Sequence, residues 1–114
     1  MDETTYSYDI AALRVFCHDD DEEVARFLSG YVDLARKDLA GLTEAWNSGD
    51  VAAAKEKAHK MKNILALLKA QPHTELAERI IREDESRIRK EKLPEKFEAC
   101  MTQMFAELTE AYGR

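Results

Sequence analysis

Apolar residues recur along this chain at steps of three and four rather than two, the spacing that gathers them on one side of an α-helix. The first stripe is short: Ile10, Leu13 and either Phe16 or Cys17 follow Asp9, whose carboxylate suits the free amides of a helix start. A helix of this length needs neighbours to persist. The acidic run His18-Asp19-Asp20-Asp21-Glu22-Glu23 closes that helix and opens another, because carboxylates favour the positive N-terminal end of a helix dipole. Val24, Phe27, Leu28, Tyr31, Ala35, Leu39, Leu42 and Trp46 then mark a long amphipathic helix, which Asn47-Ser48-Gly49-Asp50 stops.

Asp50 is a good cap for the next helix, whose Ala54, Ala58, Met61, Leu65 and Leu68 share a face and continue to about Lys69. Gln71-Pro72-His73-Thr74 breaks the pattern, with His73 read as part of the turn, and Leu76, Ile80 and Ile81 supply a shorter stripe. Charge dominates residues 82–87 and 89–92, so the core-facing part is expected to end there. Leu93-Pro94 restarts a helix carrying Phe97, Cys100, Met101, Met104, Phe105, Leu108 and Tyr112. Four substantial amphipathic helices with brief connections predict an all-α fold: an antiparallel up-down-up-down four-helix bundle, with a short additional N-terminal helix covering one end. A length of 114 residues suits a single domain, with a folded core over about residues 8–112.

Composition narrows the function. Hydrophobic residues make up 45% and charged residues 35%, a soluble globular balance, and 4 Gly and 2 Pro leave long helices uninterrupted. A formal net charge of -6 argues against a nucleic-acid binder, since affinity for phosphate backbones is built from Lys and Arg. No apolar run approaches the roughly 20 residues that span a bilayer, and Met-Asp-Glu-Thr-Thr lacks the basic and apolar regions of a signal peptide, so no membrane association and a cytoplasmic location are expected. Cys17 and Cys100 lie far apart without CxxC spacing, which indicates neither a zinc site nor a disulfide framework.

The candidate chemistry is on the third long stripe. Successive helical residues turn by about 100°, so Ala52, Lys55, Glu56, Lys62, Asn63 and Ala66 fall on the side of His59, while Met61, Leu65, Leu68, Ala54 and Ala58 fall opposite. His59 is therefore expected to face solvent, flanked by small and cationic residues that admit another protein and hold an anion. A neutral imidazole is a competent nucleophile towards phosphorus near pH 7. Lys62, one turn on, is placed to pair with a phosphoryl group carried on His59. No Gly-rich loop or GxxxxGK[ST] run is present, so ATP-dependent kinase activity is not expected and the group would come from another protein. A lone exposed histidine between lysines is more often part of a solvated face.

Ala58-His59-Lys60-Met61-Lys62-Asn63, followed by Leu67-Leu68-Lys69-Ala70, resembles the signature of histidine-containing phosphotransfer (HPt) domains, Ala-His-x-(Leu or Met)-Lys-(Gly, Ser or Pro) with Leu-Gly-Ala closing the helix. The order and spacing of the elements extend the resemblance over residues 8–70; beyond that it rests on the helical pattern. It implies a phosphocarrier of a multistep two-component phosphorelay, in which His59 accepts a phosphoryl group from one receiver-domain aspartate and passes it to another. Lys62 would be the supporting lysine. Two positions depart from the pattern: Asn63 is bulkier than the usual residue, and Lys69 replaces glycine, which predicts a different helix end or one further turn.

On this resemblance the partners are receiver domains and a hybrid histidine kinase, and the partner surface comprises Ala52, Lys55, Glu56, Asn63 and Ala66, extended by Leu67 and an adjacent helix. No cofactor of its own is expected; Mg²⁺ would be supplied by the receiver. A monomer is expected, each stripe having a partner within one bundle. The main alternative is a non-transferring scaffold or adaptor that keeps the docking surface. A metal-binding bundle using His18, His59 or His73 is disfavoured, because no pair has the spacing that puts two imidazoles on one helical face.

Overall fold

The computed structural model describes residues 8–112; the stretches read for leader character and as the chain end, 1–5 and 113–114, lie outside it. The described residues form six helices and no strand: α1 (Ala11–Phe16), α2 (Asp21–Asn47), α3 (Val51–Leu67), α4 (Gln71–Arg82), α5 (Glu85–Lys90) and α6 (Leu93–Tyr112). The expected all-α class holds. The helix starts follow local chemistry: Asp9 accepts from the Ala11 amide at 2.8 Å, Asp20 from those of Glu22 and Glu23, and Asp50 from that of Ala53.

The four long helices contact one another in a ring, α2 to α3, α3 to α4, α4 to α6 and α6 back to α2, the neighbour order of an up-down-up-down bundle. Short turns make α2 and α3 antiparallel, and Gly49, at φ 86°, supplies the left-handed residue that ends α2. The core runs along the centre: Leu13, Val24, Leu28, Leu42, Leu65, Leu68, Ile80, Phe97, Met101 and Phe105 are all buried. Tyr31 of α2 meets Phe105 of α6 edge to face, with centroids 6.5 Å apart. Of the two residues open for the first helix, Cys17 is buried and Phe16 exposed.

Three expectations are corrected. The core does not stop at residue 82: α5 folds back, burying Ile88 completely and laying the Arg89 guanidinium 4.7 Å over the Trp46 ring. His73 is no turn residue but sits in the first turn of α4, buried, with Nε2 donating to the Cys100 carbonyl oxygen at 3.1 Å. A carbonyl can only accept, so Nδ1 is the unprotonated nitrogen, and it has no partner. Finally, Lys69 does not prolong α3. It takes the left-handed conformation itself, at φ 51°, and the helix ends where a glycine would end it.

Candidate functional site

The site begins with the two sides of α3. Ala54, Ala58, Met61 and Leu65 are buried, so the opposite side is outward, and His59, Ala52, Glu56, Asn63 and Ala66 are all exposed there. Among the described residues His59 has no hydrogen-bond or ion-pair partner, which leaves both ring nitrogens open to reagents. The face calculation thus places these five residues correctly, and Leu67 is half-buried at their edge.

The lysines are sorted by the neighbouring helices. Lys55 shares the His59 side but reaches across to α4, where its ammonium donates to the carbonyl oxygens of Ile80 at 2.9 Å, Ile81 at 3.0 Å and Glu83 at 2.5 Å. These carbonyls lack helical partners at the end of α4, and a cation is favoured at that negative end. Lys55 is therefore a cap for α4, a role its position in the sequence does not reveal. Lys62 lies 4.0 Å from the exposed Glu78 carboxylate, and the two residues line an open depression of about 280 Å³ with Ile81 and Arg82. The pairings of Lys55 with residues 80–83 and of Lys62 with Glu78 run in opposite directions along the two helices. His59 consequently stands level with this depression.

On the other flank, Lys57 and Lys60 turn towards Asp38 of α2, at 3.7 and 3.5 Å. Asp38 is only 7% exposed, and its carboxylate, together with burial as the larger cause, raises the pKa of the Tyr31 hydroxyl. Sequence reasoning passed over Asp38 because its side chain is charged. The signal was present: it continues the buried series Tyr31, Ala35, Leu42 at steps of three and four. One turn before it, Leu34 is 55% exposed on the α2 surface, and Phe16, 69% exposed, packs edge to face on Phe27.

Among the described residues no group of three His, Cys, Asp or Glu side chains could hold a metal ion, and no helix is long and apolar enough to cross a membrane. His18 is an exposed turn residue at φ 56°. The arrangement offers one solvent-facing nucleophile, one loosely held ammonium on the same side, and an apolar surface nearby.

A family description, Hpt domain, matches residues 26–111, from the first turns of α2 to the end of α6. The match carries the likeness through α4, α5 and α6, where the helical pattern alone had supported it. No individual curated protein and no solved structure matches the chain.

Proposed function

Because the chain belongs to the Hpt domain family, whose members carry phosphoryl groups on histidine in phosphorelays and interact with receiver domains, we propose that His59 is its phosphorylated residue and Lys62 the residue that steadies the phosphoryl group. The observation that carries this reading is the pairing of an unpartnered, outward His59 with a lysine one turn on whose own partner is a distant and exposed carboxylate. In the transfer, an imidazole nitrogen attacks the phosphorus of a receiver's aspartyl phosphate. The N–P bond forms as the acyl O–P bond breaks, and the aspartate carboxylate is released. Transfer to the next receiver is the reverse step. The Mg²⁺ that balances charge in both steps belongs to the receiver's acidic pocket, so the bundle's share is to position the imidazole.

Receivers dock over Ala52, Glu56, Asn63 and Ala66, and α2 is the adjacent helix that completes the surface. Asp38 faces Lys60 and Gly41 faces Lys57, so in this antiparallel pair Leu34 stands level with Asn63 and Ile64. The exposed side chain of Leu34 supplies the apolar contact that protein interfaces need at their centre. The proposed setting is a cytoplasmic relay fed by a hybrid histidine kinase, with the bundle acting as a monomer.

The test is transfer from a phosphorylated receiver with Mg²⁺ present, comparing the wild type with His59→Gln. Acid-labile, base-stable label on the wild type that vanishes in the variant establishes the carrier role. Receivers that bind without transferring would instead make the bundle a scaffold.

A further inference from the structure

Four lysines lie within four residues of His59: Lys55, Lys57, Lys60 and Lys62. Lys55 and Lys62 share the His59 side, and Lys57 lies on the opposite side. Lys60 stands about 100° round the helix, with a side chain long enough to bend back towards a phosphoryl group on the imidazole. The bundle withdraws two of the three within reach, Lys55 and Lys60. Lys55 is held by three backbone carbonyls of α4 and its following turn, whereas Lys57 and Lys60 are held by a single carboxylate, that of Asp38.

The Asp38 arrangement is built into the helix packing. The carboxylate is buried at the α2–α3 contact, and a charge there requires compensation. Gly41, one turn further along α2, leaves the path by which Lys57 enters: a Cβ at that position would stand 3.1 Å from the Lys57 Cε. Lys60 differs from Lys57 in being mostly exposed, at 59% of its side chain, and it directly follows His59 in the chain. Its ammonium has no other partner among the described residues. Asp38 is what turns it towards α2.

We propose that Asp38 is a positioning residue for phosphotransfer, drawing Lys60 away from His59 so that the phosphohistidine stays labile enough to pass its group on. This rests on the reading of His59 as the phosphoryl carrier. When phosphohistidine is lost to water, the water oxygen bonds to phosphorus, the N–P bond breaks, the imidazole nitrogen takes a proton and inorganic phosphate leaves. A nearby ammonium pairs with the phosphoryl oxygens and also disfavours protonation of the imidazole, which is what makes the ring a good leaving group. One such cation, Lys62, steadies the group during transfer. A second would hold it too well, and onward transfer to a carboxylate would become correspondingly less favourable.

The experiment uses the full chain, phosphorylated at His59 by phosphoramidate, a small donor that needs no receiver. The decay of phosphohistidine at neutral pH is followed in the wild type, Asp38→Asn, Lys60→Gln and the double variant, with helicity and thermal midpoint checked for each. Asp38→Asn is expected to decay roughly two- to fivefold more slowly, the effect of one additional partly exposed ion pair. Lys60→Gln is expected to decay at the wild-type rate, and adding it to Asp38→Asn to restore that rate. A purely structural role for Asp38 would not be reversed by removing Lys60. Wild-type decay in a folded Asp38→Asn, or slow decay that persists in the double variant, overturns the proposal. So does faster decay in Lys60→Gln, a result that needs no folded Asp38 variant. If the wild type takes no label on His59, the carrier reading itself has failed, a distinguishable outcome.

Discussion

Lys55 of α3 ends at the last turn of α4, its ammonium 2.9 Å from the Ile80 carbonyl oxygen and 3.0 Å from that of Ile81. One side chain thereby fastens α3, the helix that carries His59, to its neighbour and satisfies carbonyls that the end of α4 leaves open. Replacing Lys55 with Met keeps most of the apolar stem and removes every one of these bonds. The expected loss is about 1.5–3 kcal/mol of folding stability, the range for hydrogen bonds to a charged group. Urea denaturation checks it, and an unchanged midpoint would show that water replaces the ammonium at no cost.

Lys62 is expected to behave in the opposite way. Its pair with Glu78 is long, with Lys62 half-buried and Glu78 exposed, so Lys62→Ala should leave thermal stability almost unaltered. Losing its charge-assisted contact to the phosphoryl group should slow transfer roughly 5- to 30-fold, corresponding to about 1–2 kcal/mol in the barrier. Single-turnover transfer beside a thermal melt separates the two effects. A Lys62→Ala variant that melts early and transfers normally would make Lys62 a structural residue and leave the phosphoryl group without its supporting cation.

Lys69 carries a backbone strain that glycine would not. At φ 51° a residue with a Cβ is disfavoured, and Lys69→Gly should stabilise the bundle by about 1 kcal/mol after allowing for glycine's greater freedom in the unfolded chain. Chemical denaturation should show a higher midpoint with an unchanged slope.

Stability should also depend on pH through His73. Burial is the main cause lowering its pKa, opposed by the bond to the Cys100 carbonyl and by Glu107 of α6. The unfolded chain takes up the proton near pH 6.5, while the folded chain resists it, since protonation would place a second N–H where Nδ1 has no partner. The His73 contribution is thus fully present above about pH 6.5 and is lost as the pH falls towards the lowered folded value. The thermal midpoint of the wild type should fall more between about pH 7.5 and 5.5 than that of His73→Gln. Parallel curves would show that the buried imidazole protonates without penalty.

Leu34 tests the docking surface. Leu34→Asp places a charge on an already exposed position, so folding should be preserved while receiver affinity drops roughly tenfold or more, as for truncation of a central apolar contact. Titration by calorimetry or fluorescence measures it, and unaltered affinity would move the interface off α2.

Much of this could be read in the chain alone. Periodicity and turn chemistry determined the four long helices, the carboxylates at the starts of α1 and α3, Asp9 and Asp50, and the outward direction of His59, because each depends on residues within a few positions of one another. The family likeness of the segment around His59 was legible for the same reason. Where the long side chains went was not. Lys55 and Lys62 both lie on the His59 side of α3, yet one caps α4 and the other faces an open depression. Asp38 and His73 are polar residues whose side-chain type points to the surface, and the partners that satisfy them inside, Lys57, Lys60 and Cys100, are remote in sequence. Ile88 follows the same logic, a single apolar residue in a charged segment whose burial depends on where α5 folds back. Helical spacing is a property of neighbours along the backbone, whereas the partners of a buried charge are chosen by the packing of one helix on another.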